Sequence, residues 1–387
     1  MTIAPTVFDN AAAELLAMHK RQPEITAQDY AKSLVAALGK AIAGRRKIYL
    51  DTKFWVLLRD AAMGRPREPA HTELLELLRR VVAAGLALCP IGDASFVELI
   101  RQSDPLTRVA TAQLMDELSL GVALISEQDR VMMELSCVLS ADGAKSGTEM
   151  LDHMVWVKIC FVLGFPWPVS PNRDQAANRL LQKVIIDELW KRPLTELIET
   201  VGEPPSSLPG FDQTAELLNR ESAAHAHEAR GMEKLFLAEI AGTLSVFKDH
   251  LVKVVQQAYV RETGTPPMLT DEGKDDAARR AHSLMVNCFR EAKDKMAKRV
   301  PSLYINAMCH AACRLNRSKK LKGNDLVDFH HAMGAVAYCN AFFTDGPLRA
   351  LLTAKHVALD KEFGRTILSD EDGAVEYLQS VLATDFS

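Results

Sequence analysis

The chain has 387 residues, and 48 % of them are hydrophobic, which is enough to bury a sizeable core in one large domain or in two to three ordinary ones. The 50 acidic and 46 basic residues give a net charge of −4, which excludes nucleic-acid binding through the global charge and leaves that role to a local basic patch. Seven scattered cysteines and an N-terminal segment without secretory character predict a cytoplasmic protein.

Residues 1–44 are predicted to form a helical N-terminal extension, because apolar residues recur three and four positions apart in DYAKSLVAALGKAIAG. A first strand follows at 47–51 in the stretch KIYLDTKFWVLL, and helical spacing resumes after Asp51 and Thr52. Asp51 therefore stands at the carboxyl end of a predicted strand, where open parallel sheets bind ligands. An equally simple interpretation is that Asp51 and Thr52 only cap the next helix.

Two more strands are predicted in the same region. HTELLELLRRVVAAG has the pattern of an amphipathic helix ended by Gly85, and LALCPI predicts the second strand. GDASFVELIRQ predicts a helix capped by Asp93 or Ser95, with Glu98 on its first turn. Another helix, at about 105–118, leads to the third strand in GVALIS, so strands and helices alternate in this part of the chain.

Strand signals nearly vanish in the middle of the chain, where helical periodicity recurs at 127–139, 147–164, 174–199, 213–261 and 275–299. The most apolar stretch there, MVWVKICFVLGFPWPV, is interrupted by Lys158, Gly164 and two prolines, so we expect no membrane span. We predict a large all-helical insertion at 141–318, whose amphipathic helices could hold a protein partner or a second copy of the chain.

The alternation of strands and helices returns at the C-terminal end. KGNDLVDFHHAMGAVAYC predicts a helix with Asn324 or Asp325 at its N-terminus, AFFTD predicts a strand that ends in Asp345, and GRTIL predicts a closing strand. We therefore predict an α/β protein with a mostly parallel sheet, whose core is formed by 45–140 and 319–387 on either side of the insertion.

Four carboxylates stand at comparable places: Asp51, Glu98, Asp328 and Asp345. If the sheet is parallel, all four approach one edge, and their mutual repulsion must be offset by protons or by a divalent cation. Hard oxygen ligands suit Mg²⁺ or Mn²⁺, and Asp325, one turn before Asp328, is a further candidate ligand. Taken singly, each acid is more commonly a helix cap or a surface residue, so it is their joint placement that predicts a metal site.

The segments IYLDTKFW, CPIGDASFVEL, NDLVDFHHAMGAVAYC and AFFTD resemble the PIN-like nuclease family, in the family's order, over roughly residues 45–140 and 320–385. The resemblance implies a three-layer PIN-like domain and a metal-dependent ribonuclease that hydrolyses phosphodiester bonds. It also implies that Asp51, Glu98, Asp328 and Asp345 are the catalytic, metal-binding residues. Thr52 and Thr344 would orient carboxylates or water.

Two features leave other interpretations open. Lys53 stands where the family commonly has a small polar residue, and its ammonium could contact phosphate or neutralise the acidic cluster. In the second case the protein would be a catalytically silent PIN-like scaffold that binds RNA or a protein partner. His330 and His331 lie close to Asp328, so His331 either supports the carboxylates or serves as a core or capping residue.

The predicted RNA contact lies immediately before the acidic helix, in the run CRLNRSKKLKGND. Its basic residues are Arg314, Arg317, Lys319, Lys320 and Lys322. Such a run can hold phosphates near the carboxylates, although a solvated helix face is the alternative explanation.

Overall fold

The structure, a computed structural model, describes residues 7–139, 147–202, 210–225, 231–267, 270–316 and 318–383. At its centre is a parallel four-stranded sheet in the order β2-β1-β5-β6. The strands are β1 (Arg46–Leu50), β2 (Ala87–Leu88), β3 (Val122–Leu124), β4 (Trp156–Lys158), β5 (Ala341–Phe343) and β6 (Thr366–Leu368). The predicted parallel sheet is thereby confirmed with four strands, and the fifth predicted strand, β3, is also present.

The sheet continues beyond β2 through β3. The backbone N–H of Leu124 donates to the carbonyl oxygen of Ile91 at 2.8 Å, and Ile91 pairs in parallel with Ala123. β4 then pairs antiparallel with β3. The helix predicted at 147–164 is therefore wrong in its second half, and the segment 141–318 is not all-helical. The aromatic and β-branched residues of β4 suit a strand buried against its neighbours, and a short apolar run does not distinguish strand from helix by its spacing.

Seven helices lie in the N-terminal part of the described sequence, before residue 140. They are α1 (Val7–Lys20), α2 (Ala27–Ala41), α3 (Thr52–Ala62), α4 (Pro69–Ala83), α5 (Asp93–Ile100), α6 (Pro105–Ser119) and α7 (Glu127–Leu139). The N-cap of α5 is Gly92, and neither Asp93 nor Ser95 caps it. The Asp93 carboxylate instead accepts a hydrogen bond from the backbone N–H of Glu127 at 2.7 Å, which joins α5 to α7.

The middle of the chain is helical apart from β4 and a 3₁₀ turn at Ile159–Phe161. Its helices are α8 (Gly147–Met154), α9 (Gln175–Lys191), α10 (Leu194–Val201), α11 (Asp212–Ala224), α12 (Met232–Val246), α13 (Lys248–Thr263), α14 (Asp271–Glu291), α15 (Lys293–Arg299) and α16 (Pro301–Leu315). Buried side chains of this block and of the sheet belong to one continuous hydrophobic core. None of the described helices combines the length and apolar character needed to cross a membrane.

The C-terminal helices are α17 (Gly323–Tyr338), α18 (Gly346–Thr353), α19 (Leu359–Phe363) and α20 (Glu371–Ala383). The N-cap of α17 is Lys322, two or three residues earlier than predicted, and Asp325 completes a capping box by accepting from the Lys322 backbone N–H at 2.7 Å. α17 packs between α16 and the sheet, so an element of the helical block lies directly behind the helix that carries Asp328.

A buried carboxyl group joins α7 to α16 and α17. Glu134 is fully buried and accepts hydrogen bonds from the Ser302 hydroxyl at 2.7 Å, the Ser302 backbone N–H at 3.1 Å and the Tyr338 hydroxyl at 2.5 Å. Burial raises the pKa of Glu134 to about 7, although these hydrogen bonds and Arg130 oppose the rise.

The folded protein holds the Glu134 proton more tightly than the unfolded chain does. The protonated group therefore contributes fully to the free energy of unfolding below pH 4.5, and this contribution is lost as the pH rises through about 7. Glu134→Gln keeps the acceptor oxygen and removes the charge. We expect this variant to be more stable than wild type at pH 8 by up to about 3 kcal/mol and similar at pH 4.5. Urea unfolding at both pH values checks this, with Glu262→Gln on an exposed turn of α13 as control. An identical pH dependence in wild type and Glu134→Gln would contradict it.

Candidate active site

Two neighbouring parallel strands, β1 and β5, each end in an aspartate that begins the next helix. Oδ1 of Asp51 accepts from the backbone N–H of Phe54 at 3.3 Å, and Oδ1 of Asp345 accepts from that of Leu348 at 2.8 Å. The capping interpretation of Asp51 is therefore correct. It does not exclude a second role, because each cap uses one carboxylate oxygen and leaves the other for a ligand.

α5 and α17 bring the other two predicted acids to the same edge of the sheet. Oε2 of Glu98 lies 2.8 Å from Nε2 of His331 and also accepts a hydrogen bond from the Thr52 hydroxyl. Thr52 directly follows Asp51, and His331 lies one helical turn after Asp328. Glu98 thus connects the end of β1 to the acidic helix.

Asp51, Asp328 and Asp345 lie within reach of one another's charge, while Glu98 is joined to this group through His331. Burial, followed by the charges of Asp345 and Asp51, raises the pKa of Asp328 to about 7, and His331 opposes this rise. Burial also raises the pKa of Asp51, and Asp345 adds to the effect. A parallel sheet was expected to bring these carboxylates to one edge, and the structure places them there.

Glu98 and His331 form an ion pair within this cluster. Burial opposes the charged form of both groups, but their mutual hydrogen bond lowers the pKa of Glu98 and raises the pKa of His331 overall. Asp51 and Asp328 raise the pKa of His331 further. His331 therefore supports a carboxylate, as one of the two sequence interpretations proposed.

Tyr49 and Gly92 are site residues that sequence reasoning missed. The Tyr49 hydroxyl lies 2.9 Å from Nδ1 of His331 and so orients the imidazole toward Glu98. A Cβ on Gly92 would lie 2.2 Å from that hydroxyl, so only glycine leaves room for it. The available signal was strand alternation, which puts Tyr49 on the same face of β1 as Asp51.

Thr344 lies beside Asp51 at the end of β5. The residue is fully buried, and its hydroxyl lowers the pKa of the Asp51 carboxyl group against the effect of burial. This contact fits the predicted role of Thr344, which was to orient a carboxylate.

The donor set fits Mg²⁺ or Mn²⁺ in its chemistry, since it consists of carboxylate and hydroxyl oxygens. Among the described residues, however, no group of three or more His, Cys, Asp and Glu side chains is already arranged to hold a metal ion. Mutual repulsion gives a physical reason, because carboxylates without a cation are expected to lie apart.

Asp325 has other partners. Its carboxylate accepts from the Lys322 backbone N–H and forms a salt bridge of 3.0 Å with Lys319. The geometry therefore gives Asp325 a capping role and does not support its selection as a metal ligand.

Only some basic residues of the predicted RNA-binding run are free of ion-pair partners and exposed to solvent among the described residues. Arg314 pairs with Glu239 at 2.5 Å between α16 and α12, and Lys319 pairs with Asp325. Lys320 and Lys322 are exposed, while Arg317 lies outside the described residues.

Lys53 points to the C-terminal helix. Its Nζ lies 3.1 Å from the Glu371 carboxylate and donates to the carbonyl oxygen of Ser369 at 2.8 Å. Neither of these partners is one of the four predicted acids.

Comparison with known proteins identifies no relative. No protein-family model matches the chain, and no curated protein and no solved structure is significantly similar to it. Any statement about activity therefore depends on the geometry and chemistry of the acidic site.

Proposed function

We propose that the protein is a metal-dependent ribonuclease that hydrolyses phosphodiester bonds with Mg²⁺ or Mn²⁺ held by Asp51, Glu98, Asp328 and Asp345. The observation that supports this proposal is that Asp51, Asp328 and Asp345 act on one another's pKa at the carboxyl edge of a parallel sheet, and that His331, on the helix of Asp328, pairs with Glu98. Such a cluster costs free energy in the folded protein unless a cation or protons neutralise it.

The protein's own groups prepare this edge for a cation. The Thr52 hydroxyl and His331 hold the Glu98 side chain in one orientation, and the Tyr49 hydroxyl holds His331. Asp51 and Asp345 are held by their helix N-termini through one oxygen each. Side chains held in this way lose less conformational entropy when a metal binds than free side chains do.

A bound divalent cation would supply a water of lowered pKa and stabilise negative charge on the phosphate. In the metal-free protein, the Asp328 carboxyl group holds a proton up to about pH 7, because its pKa is raised by burial and by the neighbouring acids. Asp328 must release that proton to become a ligand, so metal affinity should increase as the pH rises toward 7 and level off above it.

Two measurements test the proposal together. Calorimetric titration with Mn²⁺ should show saturable binding, and cleavage of a mixture of single-stranded and structured RNA should require Mg²⁺ or Mn²⁺ and stop in EDTA. A matched DNA mixture shows whether the 2′-hydroxyl matters. Saturable Mn²⁺ binding with no cleavage of any of these substrates would overturn the ribonuclease and favour a silent scaffold, while no binding would overturn the metal site as well.

A further inference from the structure

Three cavities that share wall residues lie along the segment that follows β3, and we refer to them together as the groove. Their volumes are about 290, 340 and 1130 Å³. The first includes Glu98 in its wall and shares Ser126, Gln128 and Leu163 with the second. The second shares Ile125, Asp129, Phe165 and Trp167 with the third, which opens between α2, α7, α8 and α13.

An aromatic ladder stands in the wall of this groove. Phe161 and Phe165 stack with ring centroids 4.4 Å apart, and Phe165 and Trp167 stack at 5.7 Å with nearly parallel rings. The ladder begins with the fully buried Phe161 and ends with Trp167, which is 39 % exposed. A terminal indole that is stacked on its inner side and accessible to solvent offers a flat face to a planar ligand.

The charges of the groove change sign along its length. Near the acidic site Glu127 pairs with His330 at 3.1 Å. Asp129, which lines the second and third cavities, accepts from the Ser126 hydroxyl at 2.9 Å. At the far end the exposed cations lie on α2 and α13, and they are Lys32, Lys253 and Arg261. An anionic chain is therefore favoured at the far end of the groove.

We propose that this groove binds single-stranded RNA, with a base stacked on Trp167, phosphates held by Lys253 and Arg261, and the strand directed to the acidic site past Leu163. This inference rests on the proposed ribonuclease function and names the form of its substrate. Base stacking on aromatic rings combined with a cationic path is how proteins hold single strands without reading their sequence. A duplex hides the faces of its bases and does not offer them to Trp167.

The test measures binding separately from cleavage. Fluorescence anisotropy with a labelled oligouridylate in EDTA reports RNA binding by the full chain when no metal is present. We expect Trp167→Ala to weaken binding about tenfold or more and Trp167→Phe to retain most of it, because stacking needs only a ring. Lys253→Gln combined with Arg261→Gln should reduce the slope of log affinity against log salt by about 1.4, or about 0.7 per phosphate contact.

Two control pairs accompany these variants. Lys234→Gln with Lys298→Gln removes two exposed lysines that line none of the three cavities, and it should change neither affinity nor slope. Lys320→Gln with Lys322→Gln tests the rival path before α17 and should have a smaller effect than the groove variants.

Wild-type affinity in Trp167→Ala, or an unchanged salt slope in the Lys253 and Arg261 variant, would overturn the groove. Equal affinity for an RNA duplex of the same length, or no RNA binding at all, would do the same. If the groove variants lose RNA binding and wild type does not cleave RNA with Mn²⁺, the groove proposal is supported and the nuclease proposal is wrong. If wild type cleaves RNA but the groove variants bind it normally, the groove alone is wrong.

Discussion

Replacing Asp51 by Asn should reduce RNA cleavage in Mg²⁺ or Mn²⁺ by more than about a hundredfold, which exceeds the usual effect of losing a group that only supports a metal ligand. Asn keeps the size of the side chain and the oxygen that caps α3, since Asn caps helices about as well as Asp. It removes the charge that would attract the cation. The metal-free protein should remain as stable as wild type or become more stable, because one member of a repelling cluster is neutral.

The measurements for Asp51→Asn are the cleavage rate and thermal melting with and without Mn²⁺. Asp104→Asn is the matched control, because Asp104 caps α6 by accepting from the Thr107 backbone N–H at 3.0 Å and is not one of the four converging acids. This control should cleave RNA as wild type does. If Asp51→Asn also keeps its activity and its stabilisation by Mn²⁺, Asp51 is only a cap and the proposed metal site is wrong.

Asp328→Asn should stabilise the metal-free protein at pH 8 and abolish its stabilisation by Mn²⁺. The pKa of Asp328 is raised to about 7. The protonated side chain therefore contributes fully to the free energy of unfolding below its ordinary pKa of 3.8, and this contribution is lost as the pH rises through about 7. A shift of this size corresponds to roughly 4 kcal/mol, which partial solvent exposure reduces to about 1 to 2 kcal/mol. Wild type should gain about 2.7 kcal/mol from Mn²⁺ at one hundred times its dissociation constant, and the variant should not.

Urea unfolding at pH 4 and pH 8, with and without Mn²⁺, checks these values. Asp325→Asn supplies the same substitution one turn earlier on α17, where the carboxylate pairs with Lys319. This control should lose a little stability without metal and retain the gain from Mn²⁺. Equal gains from Mn²⁺ in Asp328→Asn and wild type would remove Asp328 from the site.

Much of the α/β core was predictable because its signals are local. A short run of β-branched and aromatic residues that ends in a polar residue predicts β1, and the apolar spacing after Gly85 and before Asp345 predicts β2 and β5 in the same way. β4 was missed because its apolar run is too short to separate strand from helix. Its conformation depends on pairing with β3, which is a contact between distant residues.

The proximity of two of the predicted acids has a related reason. Parallel strands carry the residues that follow them to one edge, so the positions of Asp51 and Asp345 in the chain imply their proximity once the sheet is parallel. Asp325 was selected by spacing alone, and its salt bridge with Lys319 could not be read from that spacing. Arg314 was likewise assigned to an RNA surface, although packing of α16 against α12 pairs it with Glu239.

The sequence by itself thus determined which acids stand at strand ends and on the helices beside them, because strand alternation and helical spacing are properties of neighbouring residues. Only the tertiary structure decided which polar groups are available. It joined Glu98 to His331, His331 to Tyr49, and Lys53 to Glu371. The physical reason is that a partner lying scores or hundreds of positions away in the chain is chosen by packing and by the cost of burying an unpaired charge, and neither leaves a local pattern in the sequence.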